Sequence, residues 1–410
     1  MKVLVVSQYF LPEGFRINDL VQSLVDKHIT VDVLTGKPNY PEGLIYPGYR
    51  AWGWQVESLL GATVHRLPLF PRGQRSAWRL AMNYLSFVLS GVLLAPWMLR
   101  KRSYDVIFVY GVSPILQAIP ALLLGWLRGI KVVLWVQDLW PASLEATGYV
   151  RNPRLLRCVE WVVRFIYRRT DLILVQSQGF IPHVAKLVPE QSIVYYPNSV
   201  NPIFSRPPAV SSPDIAALEE GFCVVFAGNV GVGQAVEVIA DAATLLKHHP
   251  AIRFVVIGQG SRWEWLQAQI HERDLTNLYL PGRYPVDAMP KFLQQASALL
   301  VTLSDEPIFA ATVPNKIQAY MAVGRPIVAC LNGEGARLVS EANAGLAVPA
   351  QDAKGLAGAV LKLYEMPPED RAALGANARR YFKIHFDHMQ LTDQLIKHLD
   401  AQSLTKKGSP

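Results

Sequence analysis

Lys316 lies in the run TVPNKIQAYMAVGRP, residues 312–326. Thr312 reads as a helix N-cap, Pro314 suits a first turn, and Ile317, Tyr320 and Met321 recur at helical spacing before Gly324-Arg325-Pro326 ends the pattern. The spacing predicts a helix with a lysine in its first turn. A strand over Ala298–Ser304 and the loop Asp305–Ala311 precede it, and a strand over Ile327–Cys330 follows. Unpaired N–H groups, the positive end of a helix dipole and an ammonium at one point attract a phosphate-bearing ligand. Taken alone, the run equally describes a surface helix with a solvated lysine. Three further stretches bear on the choice. Gly228-Asn229-Val230-Gly231-Val232-Gly233-Gln234 is a glycine-rich strand-to-helix turn that brings backbone N–H groups close to an anion. Gly258-Gln259-Gly260 ends the next strand, and Pro281–Tyr284 offers backbone to a base with Arg283 for charge. Each alone is a tight turn, but four such ends in succession mark the ligand edge of an open α/β sheet.

The elements that must hold these residues alternate along the whole chain. In the first half, strands are expected over Val3–Ser7, Thr30–Leu34, Thr63–Arg66, Val106–Tyr110, Val132–Val136 and Leu172–Val175, with a helix over Ile17–Lys27. The Pro- and Ser-rich run 201–213 reads as a linker. A second series follows, with strands over Cys223–Ala227, Phe254–Ile257, Leu278–Leu280, Ala298–Ser304, Ile327–Cys330 and Ala347–Val348. Its helices are expected over Ala235–His248, Ala353–Glu365, Arg371–Ile384 and His388–Ala401, with a polar tail over 402–410. Continuous apolar strands separated by helices indicate parallel sheets covered on both faces, so the fold class is α/β with two doubly wound Rossmann-like domains. The GxGxxG fingerprint is absent after the first strand (SQYFLPEGFR), which argues against a dehydrogenase.

With 410 residues, two domains are the natural expectation. Charge is uneven: residues 1–200 carry 21 Lys and Arg against 12 Asp and Glu, within totals of 40 and 32. A basic half suits nucleic acid, anionic lipid or a phosphorylated substrate, and the absence of helix-turn-helix, zinc-finger or RNP patterns removes nucleic acid. The segment Leu80–Leu99 is uncharged and flanked by Arg72, Arg75 and Arg79 on one side and Arg100, Lys101 and Arg102 on the other. Its length would span a bilayer, but Asn83, Ser86, Ser90 and Pro96 fit poorly, and a helix lying in the lipid interface is the preferred reading over a plain core helix or a span. A basic-aromatic helix over Arg151–Arg169 would share that interface or present a solvated face. The start KVLVVSQYF has too short an apolar run for a signal peptide and reads as a buried strand. Cys158, Cys223 and Cys330 lack metal-like spacing, and buried free thiols in a reducing compartment are expected for Cys223 and Cys330.

The ordered set QYFLPEGFRINDL, TGKPNYPEG, VLWVQDLWP, YYPNSV, FAGNVGVGQ, VVIGQG, PGRYP and VPNKIQAYMAVGRPI resembles glycosyltransferase family 4 over nearly the whole chain. Within that family it is most similar to the bacterial O-antigen and capsule branch that contains the N-acetyl-L-fucosamine transferase. The resemblance implies a GT-B fold: two Rossmann-like domains facing a cleft, with the C-terminal helix, about 385–401, crossing back to the first domain. It implies an acceptor-binding domain over 1–200, a nucleotide-sugar domain over 214–384, and transfer with retention and without a metal or cofactor. The donor would be a UDP-sugar ahead of a GDP-sugar, and the acceptor an undecaprenyl-diphosphate-linked glycan at the inner face of the cytoplasmic membrane. The sugar would be N-acetylated or deoxy.

Carried over residue by residue, Asp138 falls where the family keeps polar groups beside the reacting sugar, although it would also serve as a helix N-cap. Gly14 falls where backbone nears donor phosphate and acceptor, and Arg16, Asn18, Asn39 and Tyr40 fall on the acceptor side. Gly228, Asn229, Gly231, Gln234, Gly258, Gly260, Tyr284, Thr312 and Asn315 match the donor face, with Lys316 and Arg283 as positive charge on the diphosphate. The chain also departs from the family. Two glutamates eight apart are Ala311 and Ala319 here, a basic pair is Asn229 and Gln234, and a histidine is Gln137. Glu306 and Glu334 are the candidates for the missing hydroxyl contacts. Two other classes compete: a nucleotide-sugar 2-epimerase of the same fold, and a catalytically weak binding partner in a polysaccharide assembly complex.

Overall fold

A computed structural model of the chain describes residues 1–73, 76–146, 152–205 and 214–404. Arg75, Arg151, the linker residues 206–213 and the tail residues 405–410 lie outside the described residues. The chain divides into two compact units, Met1–Tyr196 with Met389–Pro410, and Pro197–His388.

The first unit is an eight-stranded sheet. Its strands are β1 (Lys2–Val6), β2 (Thr30–Gly36), β3 (Gln55–Leu59), β4 (Ala62–Leu67), β5 (Val106–Gly111), β6 (Lys131–Val136), β7 (Leu172–Val175) and β8 (Ile193–Tyr195). The order is β3-β4-β2-β1-β5-β6-β7-β8, parallel throughout except for β3 against β4. The direction of winding reverses between β1 and β5, and the crevice at their carboxyl ends is where such sheets bind ligands. β3 and β8 are additions to the expected strands. The sequence QVESL of β3 alternates between half-buried and exposed, so it carries no apolar run to reveal it.

Two helices of this unit show an apolar face outward. α1 (Arg16–Asp26) packs its Ile17, Leu20, Val21 and Leu24 on the core. α2 (Ala77–Met98) buries Asn83, Phe87, Gly91 and Ala95, four residues apart and therefore on one side. At Gly91 an added Cβ would lie 2.6 Å from Pro120 Cγ, so glycine lets α2 approach α3 (Ala118–Arg128) closely. The opposite side exposes Trp78, Met82, Leu85, Leu89, Leu93 and Trp97. α2 is long and apolar enough to cross a membrane, with 22% of its most apolar window buried. Asn83, expected as a blemish in a membrane helix, is instead its anchor: it is 0% exposed and bonded into the domain. After the short helix α4 (Ala142–Ala146), α5 (Pro153–Arg169) starts at an Asn152 cap and exposes Leu155, Trp161 and Phe165 among its arginines.

The helix His388–Leu404 completes this unit. Leu391, Leu395 and Leu399 recur at helical spacing, are at most 2% exposed, and join the core of β1, β5 and α1. Burial of each side chain contributes roughly 1.5–3 kcal/mol. The Tyr196 hydroxyl donates to Leu391 O at 2.9 Å, and Lys27 pairs with Asp393 at 2.6 Å.

The second unit is a six-stranded, all-parallel sheet of order β11-β10-β9-β12-β13-β14. The strands are β9 (Phe222–Ala227), β10 (Ile252–Ile257), β11 (Leu278–Gly282), β12 (Ala298–Thr302), β13 (Ile327–Cys330) and β14 (Gly345–Val348). Its winding reverses between β9 and β12. Pro202–Ser205, expected as linker, is a single tight helical turn whose Phe204 packs on this core. Cys223 and Cys330 are buried free thiols.

Candidate functional site

At the reversal point of the second sheet, β9 is followed directly by Gly228. Gly228 N donates to Ile257 O and Gly258 N to Gly282 O, each at 2.8 Å, so the ends of three adjacent strands are tied together. Gly258 has φ +151°, and a Cβ there would lie 1.8 Å from Gly228 O. A Cβ at Gly260 would lie 2.3 Å from Val230 O. Only glycine permits these approaches, and the result is a floor of bare backbone at the carboxyl edge.

Lys316 is set onto this floor by Tyr320. The helix containing them runs Asn315–Val323, so the two residues stand one turn apart on one face. The buried Tyr320 hydroxyl accepts from Ala227 N at 3.0 Å, which fixes the helix against the end of β9. Lys316 therefore reaches Gly228, where a Cβ would lie 3.0 Å from Lys316 Cε. Its Nζ sits 3.5 Å from the centroid of the Phe226 ring and donates to Gln234 Oε1. No carboxylate among the described residues pairs with it. Burial holds the ammonium well below its ordinary value. A cation held by a ring face and an amide oxygen alone is one an anionic ligand would complete.

Several expectations shift at this edge. Thr312 is not the N-cap: its hydroxyl turns back to Ile308 O at 2.7 Å, because a short helix Pro307–Ala311 precedes it, and the cap residue is Pro314. Asn315 Oδ1 accepts from Asn198 Nδ2 at 3.0 Å. The helix after the glycine turn starts at Glu237, two residues late, because Ala235 takes a left-handed conformation (φ +45°). Glu237 occupies its first turn and pairs with Arg262, so the end of that helix does not serve an anion; the first turn of Asn315–Val323 holds no acid. Asn229 is exposed beside Gly231 and Gly260. Arg283 is exposed, and Tyr284 packs edge-on against Phe292, 4.9 Å between centroids. Glu306 is exposed, whereas Glu334 pairs with Arg337 at 2.9 Å. Ala311 is buried.

The first unit has its own edge, and here side chains build it. Gln8 N donates to Gln117 Oε1 at 2.6 Å, and Gln8 Nε2 to Asn83 Oδ1 at 2.7 Å. Asn83 Nδ2 donates to Asn39 Oδ1 at 3.2 Å and to Phe70 O at 2.7 Å. The expected acceptor residue Asn39 is thus a fully buried joint, its Oδ1 also accepting from Arg72 N at 3.1 Å. Glu13 was not foreseen. It is 1% exposed, and its carboxylate accepts from Asn39 N at 2.8 Å, Tyr40 N at 2.7 Å and Phe10 N at 3.3 Å. Burial pushes its carboxyl up to about 7 against the opposing pull of those N–H donors. It fastens the loop after β1 to the loop after β2. Tyr9, Phe15 and Tyr40 cluster beside it, with Tyr9 and Phe15 stacked at 4.8 Å.

The remaining expected residues divide. Asn18 Nδ2 donates to Glu13 O at 2.7 Å, and Arg16 is bonded to Tyr110, its guanidinium held below its ordinary value by burial. Gly14 is exposed, with nothing within 4 Å of a built Cβ. Asp138 caps no helix. Its Oδ2 accepts from Ser113 N at 3.2 Å and Ser113 Oγ at 3.1 Å, while Trp140 Nε1 donates to the same hydroxyl at 2.9 Å. Burial raises the Asp138 carboxyl above its usual range. Asp138, Ser113, Trp140, Tyr9, Tyr40 and Arg72 line a pocket of about 670 Å³ whose remaining walls come mainly from α2 and α5. Among the described residues no group of three or more His, Cys, Asp or Glu is arranged to hold a metal ion.

Comparison with known proteins gives these edges a class. Residues 221–366 match the family described as Glycosyl transferases group 1, and residues 14–199 the Glycosyl transferase 4-like domain. The chain belongs to the group 1 glycosyltransferases of GT-B fold. It is 27% identical over 342 residues to WcaI of Escherichia coli (strain K12), named for a glycosyl transferase role in colanic acid biosynthesis, covering 79% of this chain and 82% of that one. It is 29% identical over 324 residues to WbjE of Pseudomonas aeruginosa, named as a glycosyltransferase, covering 76% and 78%. Among solved structures, sucrose-phosphate synthase from Thermosynechococcus elongatus superposes with a TM-score of 0.74 at 18% identity over 98% of this chain and 99% of that one. Anabaena HepE in complex with UDP gives 0.69 at 13% identity, over 98% and 100%.

Proposed function

We propose that the chain is a retaining glycosyltransferase that moves a sugar from a UDP-sugar donor to a lipid-linked glycan in cell-surface polysaccharide synthesis. The observation that carries the donor half is Lys316, an unpaired cation held over a glycine floor at the reversal point of the second sheet. HepE structures hold UDP, UDP-glucose, or UDP with glucose, which favours a uridine donor here. The relatives named for colanic acid biosynthesis support a polysaccharide product. An N-acetylated or deoxy sugar, as in the N-acetyl-L-fucosamine branch, follows from the resemblance of the motifs.

A departing nucleoside diphosphate gains negative charge at its bridging oxygen. Lys316 and the N–H groups of the glycine turns stabilise that charge more in the transition state than in the ground state, with Arg283 on the next strand end as a second cation. Retention without a side-chain nucleophile requires the acceptor hydroxyl to attack from the leaving-group face. In this reading Asp138 would orient that hydroxyl, and Lys316 would supply the positive charge that a metal supplies elsewhere. The basic first unit and the outward apolar faces of α2 and α5 suit attachment to the inner face of the cytoplasmic membrane, with arginines on anionic headgroups.

The test is melting of the full chain with UDP, GDP and their sugars, then transfer to an undecaprenyl-diphosphate-linked acceptor with and without EDTA. Stabilisation by UDP and EDTA-insensitive transfer are expected. Conversion of donor without acceptor would establish the epimerase instead, and no stabilisation by any nucleotide would remove the donor site.

A further inference from the structure

We infer that the pocket of the first unit binds a single-chain isoprenoid phosphate, its hydrocarbon against α2, α4 and α5 and its anionic head at Arg72. The inference rests on the lipid-linked acceptor reading above and assigns it a place.

The pocket is two-sided. From the sheet edge come Tyr9, Ser113, Asp138 and Trp140; from the helices come Leu80, Ala81 and Leu85 of α2, Leu144 of α4, and Leu155 and Val159 of α5. A sugar pocket would turn amides and hydroxyls into its space. Here the amides of Gln8, Asn39, Asn83 and Gln117 are bonded to one another behind the wall, at 2.6–3.2 Å. The helices that close the pocket present hydrocarbon except at Tyr84, which is bonded to Tyr9, and Ser143, whose hydroxyl donates to Leu139 O at 2.9 Å. Leu85 and Leu155 line it while being 54% and 50% exposed. They are shared with the outward apolar faces of α2 and α5, so a chain reaching the protein along those faces has an unbroken apolar path inward.

The head end is set by charge. Arg72 lies over the Tyr40 ring at 5.1 Å and reaches the Tyr9 hydroxyl at 3.5 Å, and no carboxylate among the described residues pairs with it. The acid of the pocket, Asp138, has its Oδ2 turned to Ser113 rather than to Arg72. A guanidinium with a phenol but no carboxylate beside it, in the wall of a largely apolar cavity, fits a phosphate ester. At about 670 Å³ the cavity has the size of sites that enclose a ligand of a few isoprene units.

The experiment is calorimetric titration of the full chain with farnesyl diphosphate below its micelle concentration, with farnesol and inorganic pyrophosphate as separate arms. Saturating UDP occupies the second unit. Farnesyl diphosphate should bind one to one, at least tenfold tighter than either arm. Ala81→Trp adds bulk at an exposed helix position and should cost tenfold or more, with the melting shift by UDP unchanged. Arg72→Gln should bring the diphosphate down to the affinity of farnesol. Equal binding of farnesol and farnesyl diphosphate to the wild type, or undiminished binding by Ala81→Trp, would overturn the assignment. A UDP shift without farnesyl diphosphate binding removes the pocket and leaves the transferase; farnesyl diphosphate binding without a UDP shift does the reverse.

Discussion

The two reversal points sit at the same place in two similar sheets, and they are made of different material. After β9 the edge is backbone: Gly228, Gly258 and Gly260 approach neighbouring carbonyls where no side chain fits, and one lysine stands over them. After β1 the edge is side chain: four amides, Glu13, Asp138 and an aromatic cluster, held by bonds that cross from one loop to another. Backbone cannot be exchanged by substitution, so an edge built from it suits the invariant part of a ligand. Side chains can be exchanged one at a time, so an edge built from them suits the part that differs between substrates.

The hardest test of that contrast is Gly258→Ala. A methyl group 1.8 Å from Gly228 O must push two strand ends apart, at roughly 3 kcal/mol, and the melting shift by UDP should vanish. Retention of that shift would show that the glycine floor is no ligand edge. Lys316→Met comes next. Transfer should fall by about 10²–10³-fold, the usual loss for one donor to a developing charge. Its stability should move the other way. Burial lowers the folded-state value of Lys316, so the unfolded chain binds more protons and wild-type stability rises with pH up to the ordinary lysine range. The methionine variant should lose that slope in a pH series of denaturant unfolding curves.

In the first unit, Glu13→Gln should leave UDP binding intact and change stability alone or with acceptor affinity. The Glu13 carboxyl is raised from 4.5 to about 7, so the folded chain binds the extra proton. Its contribution is complete below pH 4.5 and is lost as pH rises to about 7, a change of about 3 kcal/mol. The glutamine variant should be flat across that window; an unchanged slope would mean that another group carries it. The smallest effect belongs to Leu89→Ser, 61% exposed on the outer face of α2. Sedimentation with anionic vesicles should weaken about fivefold while melting is unchanged. Equal sedimentation would separate α2 from the proposed membrane face.

Much of the scaffold was legible because buried parallel strands are written as unbroken apolar runs, and Leu172–Val175 and Ile327–Cys330 are found where their runs lie. The glycine turns after β9 and β10 were legible as sharp strand ends because glycine there permits approaches that no side chain allows. Glu13 was not, since a glutamate between proline and glycine in a loop looks solvated. Its burial comes from N–H groups of residues 39 and 40, remote in sequence, and no local pattern announces them. Thr312 misled for a local reason: a five-residue helix just before it, too short to show a period, offers Ile308 O to the hydroxyl. Asn83 misled because one amide in an apolar helix looks like a defect until its partners Gln8, Asn39 and Phe70 are known.

The return of the last helix to the first unit has a consequence for how the chain is made. Leu391, Leu395 and Leu399 emerge from the ribosome after the entire second unit, so nascent residues 1–196 wait with one face of their core uncovered. The second unit can close first although it is synthesised later. Termination just before residue 389 would then release a chain whose second unit is complete and whose first unit keeps an uncovered apolar face.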